Sequence, residues 1–66
     1  MKVSYNRLWK LLIDKGMTKT EMRDAVHMSS STLSKLSKNQ EVTMPVLMRI
    51  CEALDCNIED IVEFKK

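Results

Sequence analysis

Between Ser29 and Lys38 the chain reads S-S-S-T-L-S-K-L-S-K, so every residue except Leu33 and Leu36 carries a hydroxyl or an ammonium group. Hydroxyls donate or accept and an ammonium only donates, which suits this stretch to hydrogen bonding with a polar, anionic surface rather than to bond making. Covalent catalysis needs a nucleophile with an oriented base, or paired carboxylates in unlike environments. The single histidine, His27, has no motif around it that assembles such a pair, and it reads as a turn residue. Cys51 and Cys56, spaced C-x4-C with no other cysteine, indicate neither a zinc site nor a disulfide framework. They are expected to be two reduced thiols. No enzyme activity, no cofactor and no metal is therefore expected.

The elements that present this stretch can be read from capping residues and apolar spacing. Ser4 is a candidate cap for a first helix from about Tyr5 to Lys15, with Gly16 as the left-handed stop. Leu8, Leu11 and Leu12 form its core stripe, and Trp9 and Ile13 form a second apolar row beside it. Thr18-Lys-Thr-Glu21 is a capping box that starts a second helix, with Met22, Ala25 and Val26 inward and an end near His27. Ser29, Ser30 and Ser31 are three possible caps for a third helix running to about Lys38. There Leu33 and Leu36 point inward, while Ser30, Ser31, Thr32, Ser34, Lys35 and Lys38 point outward. Asn39 tolerates positive φ and is the expected stop. Thr43 caps a fourth helix with Pro45 in its first turn and Leu47, Ile50, Cys51 and Leu54 at i, i+3, i+4 and i+7. Asn57 caps a short fifth helix from Ile58 to about Glu63. The fold class expected is all-α, a compact five-helix domain spanning 1–66. A short pairing of Lys2-Val-Ser with Val62-Glu-Phe is conceivable at its ends.

From Met17 to Leu36 the chain reads M-T-K-T-E-M-R-D-A-V-H-M-S-S-S-T-L-S-K-L. This resembles the helix-turn-helix of the phage repressor and Cro family, also called the xenobiotic-response-element family, whose pattern is L-T-x-x-E-L-A-x-x-x-G-V-S-x-x-T-I-S-x-I. Met17, Thr18, Glu21, Met22, Ser29, Thr32, Leu33, Ser34 and Leu36 match it by identity or shape. The likeness extends from about Leu8 to Val62, and it places the motif itself at Thr18 to Leu36. Arg23 and His27 depart from it, standing where the family has a small Ala and a turn Gly.

The resemblance implies sequence-specific binding of double-stranded DNA by a small regulator, expected to be a repressor, with the third helix in the major groove of a palindromic operator. A groove about 12 Å wide needs short side chains where backbone approaches and donors where base edges are reached. Ser30, Ser31 and Lys35 fit that need as base contacts, and Lys35 is the main specificity residue because it can donate to guanine O6 or N7. The likeness places Lys19, Ser29, Thr32, Lys38 and Asn39 where relatives hold the phosphate backbone, and Arg23 can join them if its head turns toward DNA. It also implies a homodimer on DNA, since relatives act as two-fold dimers on half-sites roughly 34 to 36 Å apart.

The bulk properties agree. At 66 residues there is room for one domain. The net charge is only +2, but residues 1–38 carry eight basic against three acidic groups and residues 39–66 three against six. A positive face toward an anion follows. No apolar run approaches the roughly 20 residues that span a bilayer and no signal-type segment follows Met1 and Lys2, so a cytoplasmic location without membrane contact is expected.

Two matters stay open at this level. Trp9, Ile13 and Phe64 exceed what a core this size needs. Either the C-terminal tail covers Trp9 within one chain or these residues form a subunit interface. The alternative function is a protein-interaction module, such as an antitoxin or anti-repressor partner, that keeps the fold without binding DNA.

Overall fold

The computed structural model describes all residues from Met1 to Lys66. Its elements are β1 (Lys2–Ser4), α1 (Asn6–Asp14), α2 (Lys19–Val26), α3 (Ser30–Ser37), α4 (Met44–Leu54), a single 3-10 turn (Ile58–Asp60) and β2 (Glu63–Lys65). The four α-helices surround one core of Tyr5, Leu8, Leu12, Met22, Val26, Met28, Leu36, Val46, Ile50, Leu54 and Ile61. Leu11, Leu33, Leu47 and Cys51 pack at its margin.

Helix ends follow local chemistry. α1 starts one residue later than its serine suggests: Tyr5 occupies the N-cap position, and the buried Ser4 accepts from the Asn6 N–H through Oγ at 3.3 Å. At the other end Gly16 turns left-handed at φ 66, so that its N–H meets the Ile13 carbonyl and the Met17 N–H meets that of Leu12. These paired bonds satisfy carbonyls that the helix end would otherwise orphan. Asn39 and Asp55 use the same left-handed device to end α3 and α4, at φ 56 and 51.

The expected fifth helix is a correction. Asn57 does start a turn there, its N–H donating to the Asp60 carboxylate at 3.0 Å, but the helical stretch ends at Asp60. Ile61 is fully buried, and Glu63 is taken by an antiparallel pairing of β1 with β2 in the register Lys2↔Lys65, Val3↔Phe64 and Ser4↔Glu63. A residue cannot continue a helix and join a ladder at once. The terminal pairing therefore exists, with β2 one residue beyond the expected stretch. It closes the molecule by placing both chain ends on one side.

His27 ends α2 at φ 61 and ψ 41, a conformation that costs an L-residue about 1–2 kcal/mol. His27→Gly removes that strain while loosening the unfolded chain by about 0.4–1 kcal/mol. A net gain is expected, read as a rise of a few degrees in thermal midpoint by circular dichroism. An unchanged or lower midpoint would show that the imidazole supplies a compensating contact.

Candidate nucleic-acid interface

The interface is built by α2, the turn after it and α3. Thr18 Oγ1 accepts from the Glu21 N–H at 3.1 Å, and the Glu21 carboxylate accepts from the Thr18 N–H at 2.9 Å, so the capping box fixes where α2 begins. After His27, Met28 is buried and its N–H donates to the Arg23 carbonyl at 3.1 Å, pinning the turn to the core. Ser29 is the cap that α3 uses: its Oγ accepts from the Thr32 N–H at 3.2 Å and lies 3.0 Å and 2.9 Å from the hydroxyls of Ser31 and Thr32.

α3 is anchored by Leu36, which is fully buried, with Leu33 half-buried beside it. Its other side stands free: Ser30, Ser31, Ser34, Lys35 and Lys38 are exposed and Thr32 is half-buried. The chain ends do not cover it. Met1 and Lys2 reach only the far end of α3, where they share a shallow depression with Lys38 and Asn39. Lys35 pairs with no carboxylate, since the ion pairs in the molecule are Arg7–Glu63 and Arg23–Asp24.

Tyr5 fixes the far end of α3, a role its sequence context did not signal. Its backbone N–H donates to Asn39 Oδ1 at 3.2 Å and its hydroxyl donates to the Gln40 carbonyl at 2.8 Å. Burial raises its pKa; the Val42 backbone works against this and the Glu41 charge adds to it. Only the neutral hydroxyl can donate to Gln40, so this tether holds at neutral pH. Because the Asn39 oxygen is occupied, its amide NH2 remains as a donor, the polarity a phosphate requires.

Lys19 begins α2, and its Nζ lies 4.1 Å from the centre of the Trp9 ring, a cation–π contact. Trp9 and Ile13 border one shallow groove together with Arg7 and Glu63, and Ile13 is 76% exposed. The tail folds back beside this groove without covering Ile13. Phe64, 69% exposed, borders a different depression with Met1 and Val3. Successive side chains of a strand point to opposite faces, so Phe64 is turned away from Trp9 and Ile13 and the three do not form one patch.

The sequence did not single out a second apolar surface. Met44, Met48 and Ile58 are 61%, 56% and 43% exposed, and with Leu47 and Cys51 they line an apolar groove beside α4. Val46 takes the core position instead. Cys51 and Cys56 are both free thiols, and burial together with the neighbouring Cys51 pushes the Cys56 thiol up to about 11. It is protonated at neutral pH and so a poor nucleophile.

A helix pinned by its capping hydroxyl, stopped at a left-handed turn and followed by a second helix with a free polar face defines a helix-turn-helix domain. A family model described as the Cro/C1-type HTH DNA-binding domain matches residues 7–66. The chain belongs to that family. Among solved structures, the crystal structure of the transcriptional regulator VanUg, Form II, is similar at 56% identity and a TM-score of 0.93, covering 94% of this chain and 83% of that one. No match was found among curated proteins.

Proposed function

We propose that this protein is a sequence-specific transcriptional regulator, acting as a cytoplasmic repressor, that binds a palindromic operator as a homodimer with α3 in the major groove. The free face of α3 carries this reading: Ser30, Ser31 and Lys35 supply base contacts, and Lys19, Ser29, Thr32, Lys38 and Asn39 supply phosphate contacts. Trp9 and Ile13 form the centre of the subunit contact, and Phe64, which lies on the other face of β2, stays outside it. Two copies are needed because one short helix reads too few base pairs to single out a site.

The second reading, a module that binds another protein in place of DNA, is favoured by the exposed methionines of α4. Selection from a random duplex library separates the two. A palindrome with half-sites one helical turn apart is expected, and affinity for the selected site should fall with salt at a slope of about −0.9 per phosphate neutralised. Negligible binding to every duplex at low salt would overturn the DNA reading in favour of the module.

A further inference from the structure

Arg23 stands where the repressor and Cro pattern has a small residue, and its guanidinium does not run out to solvent. Its Nε and Nη2 both donate to Asp24 Oδ1, at 3.3 and 3.2 Å, and its Nη1 donates to Ser30 Oγ at 3.2 Å. The side chain is one-third exposed, whereas that of Asp24 is two-thirds exposed. The guanidinium is thus moored between the last turns of α2 and the first residue of α3. Three of its five N–H groups are engaged, and one on each Nη is left over.

This mooring changes what Ser30 can do. A serine hydroxyl is ambivalent, able to donate or accept, and on its own it discriminates poorly between bases. With Arg23 donating to one of its two lone pairs, the Ser30 oxygen keeps a single acceptor site and its proton is free to be given away. Arg23 and Ser30 together then present three donors, one N–H on each Nη and the Ser30 O–H, against that one acceptor site. Guanine is the base whose major-groove edge offers two acceptors, N7 and O6, side by side, and arginine is the side chain that most often reads it. Asp24 contributes by fixing the guanidinium and by offsetting its charge, which weakens any general pull toward phosphate.

We infer that Arg23 is a specificity-determining residue contributed by α2, reading a guanine in each half-site jointly with Ser30 and held in position by Asp24. The inference rests on the DNA-binding reading above. It differs from a role in which Arg23 merely ties α2 to α3, because a tie would act on every DNA sequence alike.

The test uses the full chain and the duplex selected by the wild type. Arg23→Met keeps the aliphatic stem and is expected to lose about 5- to 150-fold on the selected site, with little change on random duplex. Replacing each guanine in turn by 7-deazaguanine, which lacks the N7 acceptor, should weaken wild type at one position per half-site where Arg23→Met is indifferent, distinct from any position where Lys35→Ala is. Asp24→Asn, which retains the arginine, should bind random duplex more tightly while discriminating less. Equal losses on selected and random duplex, or an Arg23→Met variant that retains every 7-deazaguanine effect of the wild type, would overturn the assignment. So would an Asp24→Asn variant with unchanged discrimination. A wild type that binds no duplex would instead remove the DNA-binding reading itself.

Discussion

Leu36→Ala is expected to destabilise the protein by about 2–5 kcal/mol, the range for truncating a fully buried leucine. Leu36 has no solvent exposure and is the one fully buried side chain of α3. The other inward residue of that helix, Leu33, lies at the core margin. A domain this small rarely draws more than about 3–5 kcal/mol from its core, so the loss is comparable to the whole margin of stability. Each kcal/mol moves the midpoint of a 60–100-residue domain by about 4–8 °C. A thermal melt should therefore show a drop of about 10 °C or more, with much of the variant unfolded at 37 °C. A melt within about 2 °C of wild type would mean that α3 is held by its end contacts through Tyr5 and Ser29 and not by its buried leucine. The consequence reaches function, because the residue that anchors α3 also sets how far its opposite face stands from the scaffold.

The features legible in the sequence are those set within a turn or two of chain. The Thr18 capping box, the left-handed stops at Gly16 and Asn39, and the stripes that bury Leu8, Met22, Val26, Leu36, Ile50 and Leu54 all follow from residue type and spacing. What the sequence did not show depends on partners far away. Tyr5 meets Asn39 and Gln40, 34 and 35 positions on, and no local pattern announces such a bond. The 3-10 turn at Ile58 is decided by β2, which forms only because β1 lies beside it at the other end of the chain. On α4 the stripe is rotated, burying Val46 and leaving Met44 and Met48 outside, because the helix is apolar over more than one face and periodicity cannot choose among them. Arg23 was legible as a departure from the family pattern, whereas its bond to Ser30 depends on the angle between α2 and α3.

Lys35→Ala and Lys19→Ala should have different consequences for DNA binding. Lys35 is exposed on α3 and forms no ion pair, so its ammonium is available to a base edge without first breaking an internal contact. Its removal is expected to cost about 1–3 kcal/mol on the selected operator and little on random duplex. Lys19 starts from a different state. Leaving the Trp9 face costs about 0.5–1 kcal/mol at an exposed site, which offsets part of what a phosphate contact returns. Lys19→Ala should therefore weaken selected and random duplex by the same modest factor and make the salt slope shallower by about one. Fluorescence anisotropy on both duplexes across a salt series reads both effects. If Lys35→Ala lowers both affinities equally, Lys35 touches backbone and specificity has to come from elsewhere on α3. If Lys19→Ala leaves the salt slope unchanged, the lysine stays on its tryptophan when DNA is bound, and the start of α2 contributes to binding through its backbone N–H groups instead.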